Sequence, residues 1–547
     1  MSGYSDIKDV IEVASILEGL PKNKSTHASG IVITKDSLIN HVPIEVGSEN
    51  IYQTQFSGTD LEKIGLLKVD FLGLHNLTTL SNCVKMIQKD FKEFKLPTVF
   101  NDQKTFKLLS AGDTLGIFQM EQNSMRSILG KIRVSNFNEL VQSLALNRPG
   151  TIDMVPIYSD RKFNKQRIDY LHPDLKPILE ETLGIILYQE QILLIAAKFA
   201  GYSFGKADIL RRAISKKDKN LMESMKKDFI ESCVKNRYNV NVATKIFSYI
   251  EEFANYGFNK SHSVAYSYVA YFGAYLKANY PAYFISTMMN DFVGTDDKIS
   301  SYFKEAQNRN INIYSPHINY SDELYTVKEN NILAGLSQIK GIASSKIKEI
   351  IKARPFNDFE DFIYKTKDFL ENSDYEKLIY SSSLDCFNLT KKALIEGYPL
   401  MLAREKYAHI KTLSQITYTK DEFSYECLLE KELNALGFNI KYNFFYQQQH
   451  LYNKYKLLKI KDVIKTNSKY ISTMGIITEL REIKTKNNEP MAFGLLVDDA
   501  SEIEIVIFPR AYANMSIELN KIIIINGEKQ LSKDNQPQIV VNRIDKI

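Results

Sequence analysis

The sequence has no tryptophan, only four cysteines, and no uninterrupted apolar run of the roughly 20 residues that a membrane-crossing helix needs. The missing run excludes a helical membrane span. The start, MSGYSDIKDV, has neither a basic stretch nor an apolar core, so it does not read as a secretory signal. Cys83, Cys233, Cys386 and Cys427 are scattered, without metal-ligand spacing and without a disulfide framework. A reducing, cytoplasmic setting is expected. The lack of tryptophan beside many Lys, Asn, Ile and Tyr residues suggests an AT-rich genome and has no bearing on mechanism. What is present is ordinary for soluble globular protein, with 44% hydrophobic and 25% charged residues. The 547 residues suffice for about three or four domains of ~150 residues each. The net charge of +5 is unevenly placed: residues 201–240 hold ten Lys or Arg against five Asp or Glu. Such a field attracts phosphates, although a solvated helix face has the same composition.

The most informative stretch is residues 62–80, EKIGLLKVDFLGLHNLTTL. Leu67, Val69 and Phe71 alternate with Lys68 and Asp70, the period of a strand. Lys68 and Asp70 then share one face, and the three apolar residues are expected to bury the other. Gly73 ends the strand and a helical pattern begins at Asn76. A carboxylate beside a lysine on an open sheet face suits a metal-and-phosphate site. The competing reading is an edge strand with two solvated charges.

Before it, Ile7, Val10, Ile11, Ala14 and Leu17 fall at helical spacing, and a basic turn with His27 leads into a short strand near residues 31–34. His27 reads as structural. From about residue 100 to 325 the pattern is mainly helical. In ADILRRAISKK (207–217), Arg211 and Arg212 are followed one turn later by Lys216, within reach of one polyanion. Asn259, Lys260, Ser261 and His262 form a polar turn before a Tyr-rich helix, where backbone N–H groups bind phosphate readily. Tyr268, Phe272 and Tyr275 read as core, whereas Tyr266 lies nearest the turn, placed to stack on a base. IKGIA, with Lys340, Gly341 and Ile342 at its centre and helical patterns on both sides, looks like a helix-hairpin-helix. Such a hairpin grips nucleic-acid backbone through main-chain N–H groups. Ala343 stands where a second glycine is usual. From Tyr470 the period switches to two, and five short strands separated by turn residues suggest a barrel of the OB type. Such barrels bind single strands or serve as protein contacts.

Taken in order, LEGLPKNKSTHASGIVI, LLKVDFLGLHNLT, GIFQMEQNSMR, LNRPG, LYQEQ, ADILRRAISKK and YGFNKSHSVAYSYVAYFGAYLK, then the hairpin and the barrel, resemble the alpha subunit of bacterial DNA polymerase III, the family C replicative polymerases. The resemblance runs from about residue 9 to the end. It implies a multidomain α+β fold: a thumb remnant (1–48), the end of a polymerase-β-like palm (49–98), mainly helical fingers (99–325), a helix-hairpin-helix region (326–400), a helical clamp-binding region (401–467) and a C-terminal OB-type β-barrel (468–547). It implies a DNA-directed DNA polymerase, a nucleotidyltransferase of chromosomal replication, that adds dNTPs to a primer 3′-hydroxyl with two Mg²⁺. Asp70 would be a catalytic metal ligand and Lys68 a phosphate contact. Arg211 and Arg212 would bind the triphosphate. Asn259, Lys260, Ser261, His262 and Tyr266 would form the nucleotide pocket, with Ser261 and Tyr266 nearest the base. Lys340, Gly341 and Ile342 would hold DNA. Implied partners are primer-template DNA, dNTPs, the sliding clamp, other replisome subunits and a separate N-terminal polymerase chain, with no membrane. The nearest approach to a clamp-binding peptide is QQHLY (448–452), which also reads as plain helix surface.

The sequence departs from the family in one respect. The family's palm carries a Pro-Asp-X-Asp pair after an N-terminal phosphoesterase-like domain, and neither precedes Asp70 here. Two Mg²⁺ ions require several carboxylates, so this chain alone is expected to be inactive. Two readings remain at this point: a polymerase in incomplete or split form, and a non-catalytic DNA- or clamp-binding paralogue.

Overall fold

The N-terminal unit, Met1–His75, opens with helix Gly3–Leu17, where the apolar residues recur at helical spacing. Short strands follow at Gly30–Ile33 (β1), Ile44–Val46 (β2), Tyr52–Thr54 (β3) and Leu67–Asp70 (β4). β2 pairs with β3, and β1 pairs antiparallel with β4 in the register Gly30 to Asp70 and Ile33 to Leu67. This is a computed structural model, and it describes residues 3–20, 25–47, 50–71, 73–215, 219–254, 257–406, 417–442, 449–485, 488–498, 501–513, 515, 517, 519, 521–532 and 536–546. Lys216, Tyr256 and Gln448 of the sequence readings lie outside the described residues.

The expected burial behind β4 does not hold. Leu67 is 63% exposed and Phe71 61%, while Ile31 and Ile33 on β1 are also exposed. Alternation set the strand and its faces, but among the described residues of this unit no second layer lies over the apolar side. The apolar face of helix Gly3–Leu17 is exposed as well, at Ile7, Val10, Ile11 and Leu17.

The second unit, Asn76–Ile547, is mainly helical up to Leu436. Its first body is built on helix Lys260–Asn279, which packs against helices Gln103–Ser110, Phe137–Leu146 and Pro281–Asp291. Asn259 starts that helix by accepting the His262 N–H at 2.8 Å on its side-chain oxygen. The buried face consists of Ser263, Ser267, Ala270, Tyr271 and Ala274. Tyr268, expected in the core, is 40% exposed, and Phe272 and Tyr275 are half-buried. The reason is phase: the buried stripe runs through Ser263, Ser267, Ala270, Ala274 and Lys277, with Tyr271 at its edge, and Tyr268, Phe272 and Tyr275 lie on the other side of the helix.

Near the end of the same helix, Lys277 is fully buried. Its ammonium lies 3.0 Å from both Asp113 Oδ1 and Glu305 Oε1, and Arg309 pairs with the same two carboxylates. Two cations facing two anions leave no uncompensated buried charge.

The hairpin sequence was expected between two helices. Here it is preceded by a single 3-10 turn, Leu336–Gln338, and followed by helix Ser344–Lys352. Ahead of it lies a small sheet of Ile313–Tyr314 (β5), Thr326–Lys328 (β6) and Asn331–Leu333 (β7), in the order β5-β7-β6. Helices Phe359–Thr366, Asn372–Tyr380 and Lys391–Lys406 complete this region.

The five C-terminal strands form the expected barrel: Tyr470–Lys484 (β8), Pro490–Val497 (β9), Glu502–Ile507 (β10), Ile522–Leu531 (β11) and Pro537–Lys546 (β12). The order β10-β12-β11-β8-β9 closes through β9 and β10. Only β10 and β12 are parallel, the OB arrangement. Ile477, Leu496, Ile505, Ile525 and Ile539 fill the interior, and helix Ile460–Lys465 adds Ile460 and Val463 to the same core.

Candidate nucleotide and DNA sites

Period-two geometry places Lys68 and Asp70 on one face, and their side chains meet. Lys68 Nζ lies 2.9 Å from Asp70 Oδ1. His27 joins them from the turn before β1. Its Nδ1 accepts the backbone N–H groups of Ser29 (3.1 Å) and Gly30 (2.7 Å), which directs Nε2 toward Asp70 Oδ1 at 3.9 Å and Lys68 Nζ at 3.5 Å. His27 is therefore structural in the turn, and it also belongs to the Asp70 cluster. A cavity of about 690 Å³ opens beside it, lined in part by Ser29, Gly30, Thr54, Gly58, Lys68 and Phe71. Asp70 suits a single metal ligand. Among the described residues, however, no group of three or more His, Cys, Asp or Glu comes together to hold a metal. One carboxylate already engaged by an ammonium does not fit two divalent ions.

Arg211 and Arg212 lie on helix Phe204–Ser215 and converge on one acid. Arg211 Nε and Nη2 each stand 2.8 Å from Asp208 Oδ1, and Arg212 Nε stands 2.7 Å from Oδ2. These bonds, Arg211's first, hold the Asp208 carboxyl below the usual range. Arg211 has 20% of its side chain exposed and two nitrogens on Asp208, whereas Arg212 is 67% exposed with one. Arg212 is the better placed to meet an outside phosphate, and Arg211 fixes the acid between them.

At the polar turn, Ser261 Oγ donates to Asn259 Oδ1 at 2.6 Å. The Lys260 N–H, first of the helix, points at the Glu190 carboxylate (3.1 Å to both oxygens), and Lys260 Nζ pairs with Glu181 at 2.7 Å. An anion therefore already sits at this helix start. Tyr266 lies between two rings: His262 stacks on it at 4.0 Å, and Phe118 lies at 5.1 Å. His262 meets the edge of Phe258, whose face carries the Arg148 guanidinium at 4.0 Å. Glu181, Glu190, Arg148 and Phe118 were not assigned from the sequence. Arg148 stands in LNRPG, Glu190 in LYQEQ and Phe118 in GIFQMEQNSMR, but which side chains face the turn is set by packing. Among the described residues, no hydrogen bond or ion pair joins Arg211 or Arg212 to this turn. The two are connected through helix Gln189–Ala200, which packs on the arginine helix and carries Glu190.

At the hairpin, Gly341 has φ +74, a left-handed conformation that glycine adopts without strain. Lys377 Nζ donates to its carbonyl at 2.9 Å. The Lys340 N–H goes to the Ala435 carbonyl, its ammonium pairs with Asp296 at 2.5 Å, and the Ile342 side chain is buried in the local core. What this hairpin offers outward is backbone, at the start of helix Ser344–Lys352.

A sheet-edge carboxylate, paired arginines on a helical body, a backbone hairpin and an OB-type barrel together make a multidomain α+β protein. Residues 76–237 match the bacterial DNA polymerase III alpha subunit finger domain, residues 2–73 the bacterial DNA polymerase III alpha NTPase domain, and residues 310–394 a helix-hairpin-helix motif. The chain is 35% identical over 562 residues to DNA polymerase III subunit alpha of Bacillus subtilis (strain 168), covering 98% of this chain and 50% of that protein. It is 35% identical over 549 residues to the subunit of the same name from Staphylococcus epidermidis (strain ATCC 12228 / FDA PCI 1200), covering 97% and 51%. The subunit of Staphylococcus aureus (strain MRSA252) is 35% identical over 554 residues, with 96% and 50% covered. Among solved structures, RecG bound to a three-way DNA junction aligns at 14% identity and a TM-score of 0.13, over 34% of this chain and 30% of that one, too slight a likeness to argue from. The chain belongs to the family of bacterial DNA polymerase III alpha subunits and corresponds to a C-terminal portion of them. It spans about half the length of the curated relatives it matches.

Proposed function

We propose that this chain is the nucleotide-binding and DNA-holding portion of a DNA-directed DNA polymerase, active once a palm segment with paired aspartates, outside this sequence, is supplied. The observation that carries the reading is the 35% identity to polymerase alpha subunits over 98% of the chain. The helix bearing Arg211 and Arg212 and the turn at Asn259 fall within it. In this reading Arg212 meets the triphosphate while Arg211 and Asp208 position it. Ser261, His262 and Tyr266 line the nucleotide pocket, with Lys260 and Asn259 shaping the turn. His262, stacked on Tyr266, offers its outer face to a base. Backbone at Gly341 and Ile342, with Lys340 beside it, holds DNA phosphates. Asp70 supplies one carboxylate of the Mg²⁺ site, and Lys68 moves from Asp70 to a phosphate. Bound Mg²⁺ would supply activation of the primer hydroxyl and charge neutralisation at the triphosphate. Primer-template DNA, dNTPs, the sliding clamp, replisome subunits and a complementary polymerase chain are the proposed partners, in the cytoplasm.

A second reading, a non-catalytic DNA- or clamp-binding paralogue, draws on the Lys68–Asp70 pair, which ties up the lone carboxylate. Reconstitution separates the two. Mixing the chain with a polypeptide that supplies the paired-aspartate palm should restore Mg²⁺-dependent primer extension, and Asp70→Asn should abolish it. Arg212→Ala should raise the apparent KM for dNTP about ten- to a hundredfold, from a charge-assisted contact of ~1.5–3 kcal/mol. Full extension by reconstituted Asp70→Asn would sink the proposal.

A further inference from the structure

A second basic region lies in the helical body, and only its Arg148 belongs to the turn described above. Residues 122–168 hold eight Lys or Arg and three Asp or Glu, a surplus as large as that of residues 201–240. Packing gathers part of this charge around one cleft of about 380 Å³, lined by Gly130, Lys131, Arg133, Ser159, Phe163 and Lys165. Two helix ends meet there. Helix Asn123–Ile132 stops at Arg133, and helix Val155–Lys162 runs into Phe163. They are clamped together: Lys162 Nζ donates to the Ile132 and Arg133 carbonyls, each at 2.9 Å, and Ser159 Oγ donates to the Lys131 carbonyl at 3.1 Å.

The charges at this cleft sort into engaged and free. Lys162 is committed to those carbonyls and to Glu139 at 2.7 Å. Lys131, Arg133 and Lys165 are exposed, and among the described residues none of them pairs with a carboxylate. Asp160 offsets one of the three. The helix ends add about half a negative charge each, and Lys162 caps the first of them. The cleft remains cationic. Arg133 has φ +50, a left-handed conformation rare for a residue with a side chain. That backbone sets its guanidinium 5.6 Å from the Phe163 ring centroid, and the ring is 38% exposed. Lys162 Nζ lies over the same ring, also 5.6 Å from its centroid, so Phe163 is an aromatic platform that carries two cations and keeps part of its surface open to solvent.

We propose that this cleft binds single-stranded nucleic acid, one base stacking at Phe163 while adjacent phosphates lie on Lys131, Arg133 and Lys165. Cations interleaved with an exposed ring are what a single strand requires, because its base faces are available and its phosphates are spaced along the same groove. A duplex hides its base faces, and an acidic peptide has no flat ring system to place on Phe163. The inference concerns binding alone and stands or falls separately from polymerase activity.

The absence of tryptophan makes the test direct. Phe163→Trp creates the sole indole of the full chain. In ~0.1 M salt, the oligonucleotide dT16 should quench its fluorescence saturably, and a 16-base-pair duplex should do so at least tenfold less tightly. Adding Lys131→Ala and Lys165→Ala should raise the dT16 Kd about tenfold. It should also reduce the log–log salt slope by about 1.4, at ~0.7 for each phosphate no longer neutralised. Arg133→Gly removes a cation while relieving the left-handed backbone, so weaker binding by that variant reports the missing guanidinium and not misfolding. The proposal is overturned if dT16 binds by anisotropy without quenching the Phe163→Trp fluorescence. It is equally overturned if duplex or polyglutamate quenches as tightly as dT16, or if the alanine pair leaves Kd and slope unchanged.

Discussion

The N-terminal sheet and the C-terminal barrel are written in the same sequence code and end in opposite conditions. Both alternate apolar and polar residues. In the barrel, Ile477, Ile505 and Ile539 are fully enclosed, because five strands curl until each has two neighbours and the apolar sides face one another. In the β1–β4 pair, Ile31, Ile33, Leu67 and Phe71 remain at the surface, and each strand has one partner among the described residues. Alternation specifies a strand and its faces, whereas burial requires a second layer or closure. The same contrast holds for charge. Lys68 and Asp70 form a pair open to water, while Lys277 is fully buried against Glu305, with Asp113 and Arg309 completing the network toward the surface.

The largest effect should come from breaking that network. Lys277→Met should cost ~3–5 kcal/mol, because it leaves an acid short of its partner in the interior. Lys68→Met should change stability by less than ~1 kcal/mol. Urea unfolding of the two variants measures the difference, and equal losses would remove the contrast. The acid response gives an independent check. Burial pulls the Asp113 carboxyl up, but the Lys277 and Arg309 charges outweigh it and hold it below the usual value of 3.8. A lowered folded pKa stabilises above the unfolded value and loses that contribution as pH falls through the folded one. Stability of the parent chain should therefore decline below about pH 4, and Lys277→Met should flatten that decline.

Next comes packing. Ile505→Ala should destabilise the barrel by ~2–5 kcal/mol, and Leu67→Ala should cost the isolated chain no more than ~0.5 kcal/mol. If a complementary palm chain covers β4, Leu67→Ser should weaken its binding while leaving the unfolding of this chain unchanged. A large loss of stability from Leu67→Ala alone would show that the face is covered from within the chain.

Glycine substitutions sharpen the comparison further. A Cβ on Gly527, at the bulge of β11, would run into the Val540 carbonyl and lie 2.8 Å from Ile539 Cγ2, atoms held by the closed barrel. Gly527→Ala should cost ~1–3 kcal/mol. At Gly30 the corresponding atom would meet Lys68 Cε at 2.7 Å, Asp70 Oδ1 at 2.9 Å and His27 Nδ1 at 2.9 Å. The Lys68 and Asp70 atoms are the ends of side chains that can shift, so Gly30→Ala should cost less than ~1 kcal/mol while dispersing the Asp70 cluster. Thermal unfolding separates the two positions.

The smallest effect concerns the outer face of the barrel. Residues 468–547 contain ten Lys or Arg and eleven Asp or Glu, and Glu479 and Glu504 flank Arg481 beside Phe493 on the β8–β9–β10 face. If that face follows a single strand, Glu504→Lys should tighten dT16 binding severalfold and steepen its salt dependence by less than one log–log unit. No change would make the face a protein contact.

Local pattern determined much of this molecule. The five barrel strands, the strand at Leu67, the helix carrying Arg211 and Arg212 and the turn at Asn259 were all legible, because period, capping residue and turn chemistry act over a few neighbours. The shared face of Lys68 and Asp70 followed from the same geometry. Other features depend on residues far apart in the chain, and only tertiary structure decided them. His27 meets Asp70 through β1–β4 pairing, and Glu190 reaches the Lys260 N–H across 70 positions. Phe118 covers Tyr266, and Tyr271 rather than Tyr268 takes the core. Arg133 and Phe163 come together because two helix ends are clamped side by side. A strand's face is fixed by bond geometry within two residues. What covers that face, and which charge meets it, depends on where distant segments pack.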